Sequence, residues 1–318
     1  MRVFITGGTG NIGQYVSLAA AKRGHDAVVL SREPQKYTQL AKVADKAGSV
    51  RLVQGYLKEY NKLAGYVKGC DAVIHIALGW GNEPVSMCME DTVPTINLLE
   101  LSERAGVKKF IYTSSTAVIG AYDYNMDEKH VAPPSGLYGA TKAAGEAYVL
   151  GFREYCAQSG TGGNSFVMKR NVIRPGYTFS NPPYPGGPSQ LDRRFRDITD
   201  AVVKNQPIQL IKNDGTQFLS AKQIAEVYMA LLESDLNEEL FYALSNTFVS
   251  WERIAQIAME EHLGSTASIE LFDSGYGDIP MMFNVCKIND LFGLEFTGED
   301  DIREHIKWNL SQSIAALK

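Results

Sequence analysis

Short apolar runs alternate with amphipathic stretches through the first 175 residues. The runs Val3 to Thr6, Ala27 to Leu30, Val50 to Val53, Ala72 to Ala77, Phe110 to Ser114 and Phe166 to Ile173 read as strands. They are nearly continuous in apolar character, as strands buried on both faces must be, and the helical stretches between them supply the crossovers that a parallel sheet requires. The fold class expected is α/β, a doubly wound parallel sheet. A helix over Ala221 to Glu233 and a strand over Phe241 to Leu244 read as a return to that sheet. The segment Asn181 to Pro188, NPPYPGGP, is too rich in proline and glycine for helix or central strand and reads as a surface loop. Residues 1–175 are therefore one domain, completed by about 216–245. Residues 176–215 and 246–318 form a smaller, interleaved substrate-binding region.

Ligands of such sheets bind at the carboxyl ends of the strands, so the residues after each run carry the candidate chemistry. The first strand runs into TGGTGNIGQYV, with Gly7, Gly10 and Gly13 spaced G-x-x-G-x-x-G between a strand and a helix. A pyrophosphate needs a tight turn, backbone amides within reach and a helix amino terminus, and this context meets all three. The sheet is thus of Rossmann type and its cofactor a dinucleotide. At the end of the second strand an acidic residue would bind the adenosine ribose hydroxyls. Ser31 and Arg32 stand there instead, and a forked guanidinium suits a 2′-phosphate, which favours NADP over NAD. An arginine here can also stack on adenine or simply be solvated, so NAD stays open.

Tyr138 and Lys142 lie four apart in SGLYGATKAAGEAYVLGFREY and so share one face of a helix. A phenol titrates near ~10 and is a poor base at neutral pH, but a neighbouring ammonium and the positive nicotinamide ring both favour its phenolate. Tyr138 could then accept a proton from an alcohol as hydride leaves, or donate one to a carbonyl as hydride arrives. Ser115, after the strand KKFIYT, is the candidate to hold the substrate oxygen, with Ser114 and Thr116 beside it. His75 sits within a buried strand and reads as a satisfied core histidine.

Bulk properties narrow the alternatives. The 318 residues, 45% apolar and 21% charged, suffice for a substantial core. The 36 acidic and 31 basic side chains are dispersed, giving a net charge of -5 without a basic block, which argues against a nucleic-acid partner. Cys70, Cys88, Cys156 and Cys286 form no metal or redox pair, so no metal is expected and a reducing compartment is. Strand-like sequence from Arg2 leaves no room for a signal peptide, and no apolar run approaches the ~20 residues of a membrane span. The expectation is a cytoplasmic protein acting on a small molecule.

TGGTGNIG, DAVIHIA, YTSSTAVIG with YGATK, and VIRPG together resemble the extended short-chain dehydrogenase/reductases, the superfamily of nucleotide-sugar epimerases and dehydratases. The likeness runs nearly the full length, including DGTQFLSAKQIAEVYMALLES and FYALSNTFVSWERIAQIAMEEHLG. It implies that Gly7, Gly10, Asn11, Ile12 and Gly13 hold the dinucleotide, that Ala77 and Leu78 line its groove, and that Arg174 and Pro175 flank the nicotinamide side. It implies Ser115, Tyr138 and Lys142 as the catalytic trio, Lys142 also bonding the nicotinamide ribose. It further implies a homodimer formed through the helices of Asp91 to Leu101 and Tyr138 to Tyr155.

Departures from the family pattern bear on substrate. Gly55-Tyr56 replaces a glycine-aspartate pair, so adenine contact is expected by stacking. Asp91 occupies a position where asparagine is common, and Pro94 replaces a small residue. Gln217 stands where nucleotide-sugar enzymes carry an arginine that clamps a diphosphate, and Gln223 where they carry an aspartate. Arg193 and Arg194, with Arg196, are the candidate replacements on a substrate-side helix, or else a solvated face. Thr116 and Ala117 replace the acidic pair of the dehydratases, which argues against that branch. The leading expectation is hydride transfer at a secondary carbinol carbon of a sugar or nucleotide sugar, by an epimerase or dehydrogenase. The alternatives are an NADPH-dependent carbonyl reductase of a non-nucleotide substrate and a non-catalytic NADP(H)-sensing protein. An RNA-binding relative is disfavoured by the acidic balance.

Overall fold

Successive residues of the first strand enter opposite layers: Val3 and Ile5 belong to one apolar core and Phe4 to another, all with no exposed surface. That two-sided burial is what the continuous apolar runs demanded. The computed structural model describes residues 1–131, 133–158, 168–190 and 192–317.

The main sheet contains β1 (Arg2–Thr6), β2 (Asp26–Ser31), β3 (Ser49–Gln54), β4 (Ala72–His75), β5 (Lys109–Thr113), β6 (Lys169–Pro175) and β7 (Glu239–Ala243). Its spatial order is β7-β6-β5-β4-β1-β2-β3 and every neighbouring pair is parallel. The fold is a Rossmann-type doubly wound sheet. Strand order reverses at β1, which pairs with both β2 and β4, and the crevice outside the carboxyl ends of these strands is where such sheets bind ligands.

Helices of ten or more residues, among those described, are α1 (Asn11–Lys22), α2 (Val93–Arg104), α3 (Gly136–Gln158), α4 (Arg194–Val203), α5 (Ala221–Glu233), α6 (Trp251–Glu261) and α7 (Glu299–Ala315). α1 and α5 pack together on one face of the sheet, where Val16, Ala20, Ile224 and Tyr228 are buried. α2 and α3 cover the other, burying Leu98, Leu99 and Val149. α5 has the bounds its apolar period predicts and is capped by Ser220, whose hydroxyl accepts from the Gln223 amide at 3.2 Å. A separate cluster built on Phe179, Phe195, Phe218, Trp251, Ile254 and Ile306 joins α4, α6 and α7.

Several predicted boundaries move, most by a residue or two, and two of the shifts have a physical reason. The fourth strand stops at His75, because Ile76 and Ala77 leave the sheet to cross the glycine turn. The helix expected to carry Asp91 to Leu101 begins earlier, at Pro84, and holds a widened π turn over Cys88–Thr92 before Val93. Pro94 is the physical reason: it has no amide to close a regular turn onto Glu90. Of the sixth predicted strand, Phe166 and Val167 lie outside the described residues, as does the side chain of Cys156. Among the described residues no helix is long and apolar enough to cross a membrane.

Candidate active site

Backbone crowding dictates the glycines of the first turn. Gly7 has φ +70°, and a Cβ there would lie 2.5 Å from the Ala77 nitrogen. A Cβ on Gly13 would lie 2.0 Å from the Gly7 carbonyl oxygen. Gly10 caps α1 without a side chain, and the helix's first turn holds no acidic residue, so the amino end is left to an anion. The Asn11 side chain is engaged elsewhere, bonded to the Ser180 hydroxyl.

From this turn a cleft of about 650 Å³ runs along the carboxyl edge of the sheet, lined by Gly7, Gly10, Ser31, Arg32, Ala77 and Leu78 among others. Its far end also carries Tyr37, Tyr56 and Lys58. Ser31 is buried and its hydroxyl accepts from the Glu33 amide at 3.3 Å, while Arg32 is exposed. Pro188 closes one side of the cleft, and its carbonyl accepts from Gln14 Nε2 at 2.7 Å. A glycine cradle that excludes side chains, an uncapped helix terminus and a long groove ending in aromatic rings and cations together fit an extended dinucleotide.

At the other end of the same edge, Ser115, Tyr138 and Lys142 line one cavity of about 140 Å³, with Ile12, Leu78 and Pro175. Two glycines let α3 approach closely enough. A Cβ on Gly139 would lie 2.2 Å from the Ala117 carbonyl oxygen, and one on Gly145 would lie 2.1 Å from the Tyr112 hydroxyl. Burial pushes the Tyr138 phenol up from its ordinary value, the hydrogen bond with Ser115 draws it down and the charge of Asp91 raises it again. Lys142 is buried, which lowers its ammonium, and Asp91 opposes that shift. The Lys142 Nζ lies 5.2 Å from the centre of the Tyr112 ring.

Thr116 is buried beside Ser115, and its Oγ1 accepts from the Tyr122 hydroxyl at 3.4 Å. His75 is a core residue as expected: Nδ1 pairs with Thr6 Oγ1 at 2.6 Å and Nε2 with Thr95 Oγ1 at 2.9 Å. Burial, with Lys142 nearby, holds it down to about 3 and hence neutral. Arg174 turns from the nicotinamide side into a buried bidentate pair with Glu146, both bonds 2.7 Å. Its strand neighbour Pro175 does reach the cavity.

Arg193 and Arg194 are not brought to this cavity. Arg193 is largely exposed and pairs with Asp197 at 3.4 Å. Arg194 is sandwiched by interactions, its guanidinium 4.4 Å from the Trp251 ring and 5.0 Å from that of Tyr177, with Asp192 paired at 2.7 Å. Gln217 is likewise committed: Nε2 donates to the carbonyls of Ser245 at 2.9 Å and Phe283 at 3.0 Å, and Oε1 accepts from the Phe283 amide at 2.7 Å. Among the described residues no group of three or more His, Cys, Asp or Glu is arranged to hold a metal.

Three participants escape sequence reasoning. Lys58 stands in a polar loop like any solvated lysine. Gln14 looks like an ordinary helix surface residue yet has no exposed area. Asp91 is singled out by its departure from asparagine, but nothing in its spacing says that its carboxylate faces Lys142 across 4.0 Å.

Comparison with known proteins shows what the chain is similar to. UDP-glucuronate 4-epimerase 1 of Arabidopsis thaliana is 25% identical over 348 residues, covering 97% of this chain and 76% of that protein. The decarboxylating sterol-4-alpha-carboxylate 3-dehydrogenase of Dictyostelium discoideum is 31% identical over 159 residues, 46% of this chain and 47% of that one. Among solved structures, the UDP-glucuronic acid 4-epimerase of Bacillus cereus in complex with NAD superposes with a TM-score of 0.77 at 17% identity, covering 98% of this chain and 96% of that one. MoeE5 in complex with UDP-glucuronic acid and NAD gives 0.74 at 21%, covering 98% and 100%. Residues 3–241 match the NAD dependent epimerase/dehydratase family, and the chain belongs to that family.

Proposed function

We propose that this protein is an NAD(P)-dependent enzyme moving hydride at a secondary carbinol carbon of a sugar or nucleotide sugar, as an epimerase or dehydrogenase, with Tyr138 as acid and base. The observation that carries this reading is the convergence of Ser115, Tyr138 and Lys142 on one cavity at the end of the dinucleotide-sized cleft. The family resemblance supports the same trio.

When bound, the nicotinamide supplies the hydride acceptor or donor. Gly7, Gly10 and Gly13, with the α1 amides of Asn11 and Ile12, hold its pyrophosphate; Ala77 and Leu78 line its groove. Ser115 fixes the substrate oxygen, with Thr116 behind it. Tyr138 takes the carbinol proton during oxidation and returns one to the carbonyl oxygen during reduction. Lys142, one helical turn on, supplies the positive charge that makes the phenolate accessible. NADP is favoured over NAD, because Ser31 and Arg32 line the cleft after the second strand and suit a 2′-phosphate; Lys58 lines the same cleft, paired with Glu90 at 3.4 Å.

A reductase of a non-nucleotide carbonyl substrate is the second reading, favoured by the engagement of Gln217 and Arg194 in bonds that leave neither to clamp a diphosphate. Homodimerisation is proposed through α2 and α3, whose faces bear Ile96, Ala147, Tyr148 and Gly151 around an apolar hollow of about 390 Å³. Sedimentation at micromolar concentration giving monomer alone would remove that part.

The test of function is to denature purified protein and identify the dinucleotide released per chain, then to assay UDP-hexoses and UDP-hexuronates for C4 epimers. Retained NAD with epimer formation supports an epimerase and refutes the 2′-phosphate argument. Empty protein that binds NADPH over NADH and reduces carbonyls supports the second reading. Full turnover by Tyr138→Phe would overturn Tyr138 as acid and base in both readings, and dinucleotide binding without turnover of any of these substrates would leave a dinucleotide-sensing protein.

A further inference from the structure

A buried carboxylate faces the proton-transfer pair from outside its own helix. Asp91 and Lys142 are 1% and 2% exposed, and their Oδ2 and Nζ atoms stand 4.0 Å apart. The other oxygen, Oδ1, accepts from the Gly79 amide at 2.8 Å. No hydrogen-bond donor among the described residues reaches Oδ2, so its environment is the ammonium. The backbone is shaped to keep it there. Asp91 lies in the π turn Cys88–Thr92, and its own carbonyl accepts from the Thr95 hydroxyl at 2.8 Å. A Cβ on Gly79 would lie 1.7 Å from the Glu90 carbonyl oxygen, so only glycine lets the segment after β4 approach that turn.

We propose that Asp91 is a positioning residue of the proton-transfer site, its carboxylate serving as the buried counter-ion that holds the Lys142 ammonium charged and in place beneath Tyr138. This rests on Tyr138 and Lys142 being the proton pair.

The surrounding titratable groups leave Asp91 that task. From β4, His75 is neutral between two threonines. From β5, Tyr112 lies beneath Nζ as a phenol that burial holds well above its ordinary range. From α5, Tyr228 is buried and paired with Thr113. On α3 itself, Glu146 is neutralised by Arg174. Among the described residues, Asp91 is thus the carboxylate that answers Lys142. Its charge supports the ammonium against desolvation and also opposes ionisation of Tyr138, so the pair sets both edges of the working pH range.

The experiment uses Asp91→Asn, which keeps an acceptor for the Gly79 amide and removes the charge. The pH profile of turnover is measured alongside the ultraviolet tyrosinate titration of the cofactor-free protein, isolated as the difference from the matching Tyr138→Phe background. Both limbs of the profile and the tyrosinate midpoint are expected to move to lower pH, the limb set by the ammonium by about one unit, the size of effect an opposite charge at 4.0 Å exerts. Unmoved limbs and midpoint, with Tyr138→Phe inactive, overturn the inference while leaving the catalytic reading standing; an active Tyr138→Phe overturns the catalytic reading itself.

Should Asp91→Asn fail to fold, Lys142→Met decides. It strands the carboxylate, whose folded pKa burial already raises while Lys142 and the Gly79 amide hold it down, and which rises further without the ammonium, so relative to the parent the variant's stability is retained at acid pH and lost as pH rises through the folded pKa. A stability deficit equal at every pH from 4 to 8 overturns the proposal.

Discussion

Gln14 Nε2 donates to the Pro188 carbonyl at 2.7 Å, joining the first turn of α1 to the end of the proline- and glycine-rich loop 174 positions later. Two more bonds follow the same seam, from Tyr15 to the Asn181 carbonyl and between Ser180 and Asn11. The loop is therefore fastened to the helix that follows the glycine turn. A Cβ on Gly187 would lie 3.0 Å from Gln14 Oε1, so glycine gives the loop the room to lie this close.

From that seam, Gln14→Leu is expected to speed dinucleotide release. Losing one such hydrogen bond costs about 1 kcal/mol, or roughly a fivefold faster dissociation if the loop alone gates the cleft. Stopped-flow displacement of bound NADH or NADPH reads this directly. An unchanged dissociation rate would mean that the loop does not retain the cofactor.

Cofactor choice is tested at the adenosine end. With Arg32 and Lys58 both lining the cleft, Arg32→Ala is expected to weaken NADPH binding about tenfold or more, the loss of a charge-assisted contact to phosphate, and to leave NADH within a factor of two. Titration of both cofactors by fluorescence gives the ratio. Equal weakening of the two would assign Arg32 to adenine stacking.

The glycine cradle makes a stability prediction. Gly13→Ala would force a Cβ to within 2.0 Å of the Gly7 carbonyl oxygen, a backbone atom that cannot step aside without moving β1. A loss of about 3 kcal/mol is expected, with dinucleotide binding abolished. Urea unfolding checks the first part and calorimetry the second.

What was legible in the chain follows from what each signal depends on. The strands and α5 were readable because burial on one or two faces imposes a local period, and the glycine turn because its spacing between a strand and a helix is itself local, although Ala77, which crowds Gly7, comes from 70 positions on. Tyr138 and Lys142 were readable because four residues make one turn. Arg194 was not, since its partners Trp251 and Tyr177 come from distant parts of the chain and an arginine beside an aspartate looks the same whether it waits for a phosphate or caps a ring. Asp91 could be marked as unusual but not oriented: Pro94 widens the turn before α2, and the regular 3.6-residue period no longer predicts which way the carboxylate points.

Two histidines should dominate the acid limb of stability. His75 lies between Thr6 and Thr95, and His305 among Asn181, Gln190 and Asn309; burial lowers both to about 3. In the unfolded chain each titrates near ~6.5, so between these values the unfolded state holds the extra proton. Their contribution is complete above about pH 6.5 and is lost progressively as pH falls towards 3, about 2 kcal/mol for each at pH 5. His305→Gln keeps a hydrogen-bonding amide in the network and removes one titration. Its stability at neutral pH is expected to fall, yet its decline between pH 7 and pH 4 should be shallower than that of the parent by one proton's worth of slope. Urea midpoints across this range decide it: parallel curves would mean that His305 takes up its proton in the folded state as readily as in the unfolded one, which its buried position among three amides does not allow.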